Sequence, residues 1–110
     1  MEITFEDFSK IEIRTGTIVS VLDFPNAKKP AYQLTINFGS LGIKKSSAQI
    51  TFHYTKKQLI GKQIVAVVNF PTKQIANFLS ECLVLGVYDN NHQVILLKPD
   101  KPLPNGHLVG

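Results

Sequence analysis

Strict alternation of apolar and polar residues along positions 31–38 limits the folds open to this chain more than any other pattern in it. One set is apolar and the other polar: Tyr32, Leu34, Ile36 and Phe38 against Gln33, Thr35 and Asn37. Successive side chains of a β-strand point to opposite faces, so a period of two predicts a strand with one buried face. A helix would scatter the same apolar residues around its axis. The pattern therefore predicts a half-buried strand.

Apolar segments of strand length recur along the chain, with one short helical segment among them. We predict a helix over 56–60, capped by Thr55, and strands over 11–22, 31–38, 43–52, 63–70, 82–88 and 93–97. Gly16 predicts a bulge or bend in the first strand. The resulting order is three strands, a short helix and two further strands, with additions at both ends, and it is the order of the oligonucleotide/oligosaccharide-binding (OB) barrel. The predicted fold class is all-β: a five-stranded OB-fold barrel with a binding face across its second and third strands.

The chain is predicted to form one domain, residues 1–110, because 110 residues with 44% apolar content suit a single core. Thr4 and Asp7 have the spacing of a helix cap, and Phe5 and Phe8 lie on one face of that predicted N-terminal helix. So short a helix must dock its apolar face. The surface beneath it is either its own barrel or a partner subunit.

Charge is divided unevenly along the sequence. Between Phe24 and Ser80 there is no Asp or Glu, but there are eight lysines: Lys28, Lys29, Lys44, Lys45, Lys56, Lys57, Lys62 and Lys73. All eight acidic residues and the other four cations lie outside, so a middle of +8 and flanks of −4 give the net +4. An uncompensated lysine field attracts anions, either nucleic acid or an acidic protein surface. The alternative is a solvated face that maintains solubility.

No catalytic or metal-binding pattern is present. The three histidines have no ligand spacing with one another or with the single Cys82, which lies in an apolar strand and reads as a buried hydrophobe. We therefore predict no enzyme activity, no metal and no cofactor. One cysteine, no apolar membrane span and an acidic start predict a cytoplasmic protein without membrane insertion.

A binding role is better supported, and the segment from Asn69 to Ser80 carries it. It mixes apolar Phe70 and Phe78 with Lys73, Gln74 and Asn77. A connection between strands runs along the surface, where such a mixture suits stacked bases or apolar side chains of a peptide. The alternative is that Phe70 and Phe78 plug the end of the barrel. Aromatic residues also flank the stretch Lys44 to Ser47, namely Tyr32, Phe38, Phe52 and Tyr54, and alternation predicts one or two exposed rings.

Long stretches of the chain resemble the tRNA-binding domain family, which includes modules appended to some methionyl- and phenylalanyl-tRNA synthetases. The resemblance covers essentially all 110 residues and includes IEIRTGTIVSV, LIGKQIVAVVNF and the segment 69–80. KPAYQLTINFG, GIKKSSAQIT, VVNFPTKQIANFLSECLVLG and the closing PNG are similar to a stand-alone branch of export-related chaperones. This resemblance implies the OB barrel, unfolded precursor proteins and peptides as clients, and export machinery with a SecA-like partner.

The resemblance further implies a homodimer that residues 1–10 and 98–110 help to build. The predicted dimer residues are Phe5, Phe8, Pro99, Pro102 and Pro104.

Lys73 and Ser80 match the RNA-binding pattern of the family, whereas Pro71, Gln74 and Ala76 stand where the family often has lysine or arginine. Asn77 and Cys82 replace family glycines. These departures favour contact with polypeptide, and so a chaperone, with tRNA binding as the alternative. The chaperone is expected to act without ATP, because the sequence has no nucleotide-binding motif. The predicted peptide- or RNA-binding residues are Lys44, Lys45, Ser46, Ser47, Asn69, Phe70, Lys73, Gln74, Asn77, Phe78 and Ser80.

Overall fold

Five antiparallel strands curl into a nearly closed barrel in a computed structural model that describes all 110 residues. The elements are, in chain order, α1 (Phe5–Ser9), β1 (Ile13–Asp23), β2 (Tyr32–Asn37), β3 (Ile43–Ala48), α2 (Lys56–Leu59), β4 (Gln63–Val67), β5 (Lys73–Ile75), β6 (Phe78–Ser80), β7 (Leu83–Val84), β8 (Gly86–Tyr88) and β9 (Val94–Leu96). The sheet order is β3-β2-β1-β4-β7, and β5-β6 and β8-β9 form separate hairpins. The predicted OB-fold barrel is confirmed.

The interior of the barrel follows from the alternation along β2. Tyr32, Leu34, Ile36 and Phe38 are all buried, whereas the polar residues between them are partly exposed. They pack with residues of β1, β4 and α2, among them the fully buried Ile18, Leu59 and Ile64. Burying one such side chain contributes about 1.5–3 kcal/mol, so this face is the main source of stability.

The first strand, β1, pairs with two neighbouring strands, β4 and β2. Residues Ile13 to Thr17 pair with β4, and residues Thr17 to Asp23 pair with β2. The register shifts between Ile18 and Ser20, so the bulge lies there and not at Gly16 as the sequence predicted. Gly16 has a different role: a Cβ on it would lie 2.7 Å from side-chain atoms of both Ile36 and Phe38. Only glycine fits so close to the core.

The barrel closes through side chains as well as backbone where β3 meets residues 80–82. The Glu81 N–H donates to the Lys45 C=O (2.7 Å), and the Lys45 N–H donates to the Glu81 carboxylate (3.0 Å). Ser46 Oγ donates to the Cys82 C=O at 2.9 Å, and the Ser47 N–H donates to Ser80 Oγ at 3.1 Å. Apart from this seam, the edge strands β3 and β7 are not paired with each other.

The connection from Pro71 to Glu81, predicted as a surface loop, contains the hairpin β5-β6. Phe78 is buried against Phe24, with ring centroids 5.4 Å apart, and Ala31 completes this small second core. The predicted strand 82–88 is broken into β7 and β8, because Leu85 separates pairing with β4 from pairing with β9.

The two flanking segments attach differently, because the tail bonds to β1 whereas α1 has no buried residue. The predicted cap of α1 is confirmed, with Thr4 Oγ1 accepting from the Asp7 N–H and the Asp7 carboxylate accepting from the Thr4 N–H. Thr55 caps α2 in the same way. The tail runs along β1, where Thr15 exchanges backbone hydrogen bonds with Gly106 and His107. Neither α-helix has the length and apolar character that crossing a bilayer requires.

Candidate functional site

A large cleft opens where the barrel fails to close. Its volume is about 1320 Å³. One wall is the end of β3 with the segment that follows it, residues 47–52. The other walls are residues 70–73 with Ile75, residues 80–86, the hairpin β8-β9 and the loop residues Lys29 and Pro30. The cleft therefore exists because β3 and β7 diverge beyond the seam at Ser47.

Two loops that OB folds use for ligands meet at this cleft. These are the connection between β1 and β2, residues 24–31, and the connection after β4 that contains β5-β6. Phe24, Ala31 and Phe78 join the two loops through the small second core. This packing brings Lys29 from one loop and Lys73 from the other into the cleft lining.

The cleft combines aromatic surface with cations and small polar groups. Phe52, Phe70 and Tyr88 line it with exposures of 66%, 55% and 69%. Lys29 and Lys73 are its two lysines, and neither forms an ion pair. The one carboxylate in the lining, that of Glu81, accepts from the Lys45 N–H. Such a surface suits a ligand that has both apolar and anionic groups.

The hairpin β8-β9 is held against the cleft by contacts with residues 53 and 54. His53 Nε2 lies 2.7 Å from Asp89 Oδ2, and the Tyr54 hydroxyl accepts from the Leu96 N–H at 3.0 Å. The hydrogen bond from His53 lowers the pKa of Asp89, as do the N–H groups of Gln93 and Asn91 that donate to the same carboxylate. These bonds fix the turn that carries the hairpin wall.

The structure places the predicted binding residues in three settings. Ser47, Phe70, Lys73 and Ser80 line the cleft. Four lie outside its lining on exposed or half-buried surface: Lys44, Lys45, Gln74 and Asn77. Ser46 and Phe78 are buried in the barrel seam and in the second core, out of reach of a bound ligand. Phe78 therefore acts as the plug that the sequence left open as an alternative.

Asn69 has a structural position. Its side-chain oxygen accepts from the Glu12 N–H at 2.9 Å, and its side-chain nitrogen donates to the Lys10 C=O at 2.7 Å. Both bonds tie the segment after α1 to the end of β4. Its amide is therefore committed to the fold and is not offered to a ligand in the cleft.

The lining features outside the predicted set include Lys29, Phe52 and the hairpin β8-β9 with Tyr88. Phe52 belongs to the aromatic residues noticed in the sequence, and it is the exposed one, since Tyr32 and Phe38 are buried and Tyr54 is half-buried. Lys29 and the hairpin carry no local signal. They reach the cleft only through tertiary packing.

The lysine field remains mostly uncompensated in three dimensions. Of its eight members only Lys56 forms an ion pair, with Asp23 at 2.8 Å. The hydrogen bond that Lys56 donates to Asp23, together with the charge of that carboxylate, raises the pKa of Lys56. Lys62 lies over the Tyr54 ring, 5.7 Å from its centroid. The others are available to an anionic partner.

A second, smaller groove lies between the N-terminal helix and the end of the tail. Phe5, Phe8, Leu108 and Val109 line it, beside Arg14. Phe5 and Leu108 are exposed, and the Phe5 and Phe8 rings are 6.2 Å apart. The predicted dimer prolines lie in the tail that leads to this groove, where the Pro104 C=O accepts from Thr15 Oγ1. Pro99 is half-buried and Pro102 is exposed.

The remaining reactive groups do not form a catalytic arrangement. Cys82 is buried, and burial raises the pKa of its thiol to about 11. No group of three or more His, Cys, Asp or Glu side chains is placed to hold a metal ion. The cleft lining offers a ligand apolar contact, hydrogen bonds and charge.

Comparison with known proteins places this architecture in a family. The family model described as "Putative tRNA binding domain" matches residues 13–108. The methionine–tRNA ligase of Nanoarchaeum equitans is 38% identical over 109 residues, which are 97% of this chain and 13% of that enzyme. The chain therefore spans about one-seventh of the length of the curated relatives it matches.

Two chaperones are among the solved structures that this chain resembles along its length. The chaperone CsaA from Bacillus anthracis is 49% identical with a TM-score of 0.95, and 100% of each chain is covered. The CsaA chaperone protein from Picrophilus torridus is 56% identical with a TM-score of 0.93, covering 99% of this chain and 100% of that one. Similarity of this extent includes both flanking segments as well as the barrel.

Proposed function

We propose that this chain, which belongs to the tRNA-binding domain family, is a molecular chaperone that binds unfolded segments of precursor polypeptides in the large cleft. It acts by binding and not by catalysis. The observation that carries the proposal is the composition of the cleft. Exposed Phe52, Phe70 and Tyr88 stand beside Lys29 and Lys73 in a volume of about 1320 Å³. Unfolded segments present apolar side chains that such rings cover.

The similarity to two CsaA chaperones supports the same function. We further propose that clients are passed to the export machinery in the cytoplasm, where the lysine field attracts an acidic surface of a SecA-like partner. Holding requires no ATP in this proposal, because a preformed cleft binds and releases short segments by equilibrium. Added ATP is therefore expected to leave the affinity for peptides unchanged.

We also propose that the active form is a homodimer. The groove lined by Phe5, Phe8, Leu108 and Val109 supports this, because it leaves apolar side chains of both flanking segments exposed side by side. Exposed apolar patches on small proteins often mark contact sites. A two-fold pairing of these flanks would present two clefts to one client.

Binding of a set of unfolded peptides, measured by fluorescence anisotropy without nucleotide, tests the chaperone proposal. Phe70→Ser is expected to weaken binding at least about tenfold, since it removes an aromatic contact surface. Leu22→Ser is the matched control, because Leu22 is similarly exposed at 59% and lies outside the cleft lining. Equal affinities for the two variants would contradict the cleft as the site, and no binding of any peptide by the native chain would contradict the function.

Alanine substitutions at Lys73, Gln74 and Asn77 test whether the ligand binds in the cleft or at the tip of the hairpin β5-β6. Lys73 lines the cleft, whereas Gln74 and Asn77 do not. Lys73→Ala is therefore expected to weaken binding of peptides with acidic residues, and Gln74→Ala with Asn77→Ala is expected to leave it unchanged. The same affinity loss in both variants would place the ligand on the outer face of β5-β6 instead.

The alternative function is tRNA binding. One observation favours it: Lys29 and Lys73, from the two loops that OB folds use for nucleic acids, lie unpaired at one cleft. The similarity to a methionine–tRNA ligase points the same way. Phosphate contacts release counterions, so the logarithm of affinity should fall with log salt by roughly 0.7–0.9 per phosphate.

Titration of tRNA at several salt concentrations separates the two functions. If RNA uses the cleft, Lys29→Ala with Lys73→Ala lowers the salt slope by roughly 1.4–1.8. Lys57→Ala is the control, because Lys57 is exposed and lies outside the cleft. A flat slope for the native chain would leave the lysines without an RNA role.

A further inference from the structure

The cleft has an unpaired strand edge as one of its walls. In an antiparallel pair, the N–H and C=O of a residue point to the same side, and successive residues alternate between sides. On β3 the backbone groups of Lys45 point away from β2, because both bond to Glu81. The Ser47 N–H points the same way, to Ser80 Oγ. The odd-numbered residues of β3 therefore direct their backbone N–H and C=O groups to the outer edge of the strand.

This edge continues into the cleft without a partner. Burial alternates onward through Ala48, Gln49 and Ile50, with Gln49 exposed and its neighbours buried, as in an extended chain. Neither the N–H nor the C=O of Gln49 forms a hydrogen bond within the chain. The Ser47 C=O accepts only from the Ser46 hydroxyl, at a long 3.4 Å. Ser47 and Gln49 both line the cleft.

The facing wall presents backbone groups as well. The Leu85 N–H donates to the Val65 C=O, so alternation turns the N–H and C=O of Val84 away from β4. Val84 lines the cleft. The edge with free groups at Ser47 and Gln49 is therefore the wall with which an added strand can pair.

We propose that a client segment binds as an added β-strand, pairing its backbone with the edge of β3 at Ser47 and Gln49. This inference rests on the proposed chaperone function and specifies how the cleft holds its ligand. Strand addition satisfies the free N–H and C=O groups whatever the client sequence is. A phosphate backbone offers acceptors and no N–H donors, so this edge favours polypeptide over RNA.

The charged side chains of the cleft lining determine which client segments are preferred. Lys29 and Lys73 are free in the cleft, whereas the only carboxylate of the lining, that of Glu81, is bonded to the Lys45 N–H. Alternate side chains of an extended segment point to one face, so one set contacts the aromatic rings and a neighbouring acidic residue reaches a lysine. The preferred occupant is an extended segment that alternates apolar and polar residues and has an acidic residue.

N-methylation of the peptide backbone tests strand addition directly. The probe is a nine-residue peptide of alternating leucine and serine with one glutamate, and its two methylated forms carry N-methyl groups at odd or at even positions. One form is expected to bind at least about tenfold more weakly and the other within about twofold of the parent, because only one set of N–H groups faces the edge. Equal affinities of the two forms overturn strand addition while leaving peptide binding intact. A parent peptide that does not bind contradicts the proposed function itself.

The edge can also be altered in the protein. Gln49→Pro removes the free N–H and is expected to weaken binding of the parent peptide about tenfold, whereas Gln49→Ala keeps the N–H and is expected to bind like the native chain. Thermal unfolding verifies that both variants fold. Equal binding by folded proline and alanine variants overturns the proposal. If the proline variant does not fold, the N-methylated peptides decide alone.

Discussion

Cys82 lies at the seam where the barrel closes, and its surroundings determine its reactivity. The side chain is buried beside Ser46, and burial raises the pKa of its thiol to about 11. Thiolate is the reactive form of cysteine, and its fraction at pH 8 is then about one in a thousand. We expect the native chain to react with a disulfide reagent at pH 8 far more slowly than the chain unfolded in urea. Equal rates in the two states would contradict the buried seam, and Cys82→Ala gives the background rate.

Ala76 occupies a backbone conformation that disfavours alanine. Its φ is +53°, in the turn that joins β5 to β6. A side chain with a Cβ is strained in this left-handed region by about 1–2 kcal/mol. Ala76→Gly is therefore expected to raise the free energy of unfolding by about 0.5–1 kcal/mol, after the entropy cost of glycine is subtracted. Urea unfolding measures it. Ala27→Gly, at a negative φ, is the control and is expected to destabilise.

At the scale of elements, the hairpin β8-β9 depends on one carboxylate. Asp89 accepts from His53 and from the N–H groups of Asn91 and Gln93, and its pKa is lowered chiefly by the His53 bond. A lowered folded-state pKa means that the charged form stabilises the fold at pH values above the unfolded pKa. That contribution is lost as the pH falls through the folded pKa.

Asp89→Asn should therefore lower the melting temperature at pH 7 and have a smaller effect at acidic pH, where the native carboxylate is protonated. Thermal unfolding across this pH range measures the difference. Asp100→Asn is the control, because Asp100 is exposed and forms no ion pair. If the difference in melting temperature between Asp89→Asn and the native chain does not change with pH, the charge of Asp89 does not stabilise the turn.

The elements differ in how readily the sequence predicts them, for physical reasons. β2 was predictable because alternation records which face is buried, and both helices were predictable because Thr4 and Thr55 cap them locally. The hairpin β5-β6 was not, because its turn at Ala76 lacks the glycine that normally marks such turns. Phe52 in the cleft wall could have been predicted, because it is one of the aromatic residues that flank the stretch Lys44 to Ser47. Lys29 and Tyr88 were not, since only the closure of the barrel brings them to the cleft.

At the scale of the molecule, the cleft and the small groove offer different surfaces to a partner. The cleft has the unpaired Lys29 and Lys73 beside its aromatic rings, whereas exposed apolar side chains of both flanks meet at the small groove. The two regions thus make separate demands on a partner. An anionic or unfolded ligand suits the first, and a second copy of the chain suits the second.

The proposed dimer can be tested by removing the apolar flanks without touching the cleft. Phe5 and Leu108 are 79% and 60% exposed, so their replacement by serine should cost the monomer little. If they are central contacts of the dimer, Phe5→Ser with Leu108→Ser should raise its dissociation constant at least about thirtyfold. Light scattering over a dilution series measures the mass, and Leu22→Ser is the control with similar exposure. Unchanged mass in the double variant would move the interface elsewhere. A monomeric variant that still binds single peptides, but holds long unfolded clients less tightly, would show that pairing two clefts supplies avidity.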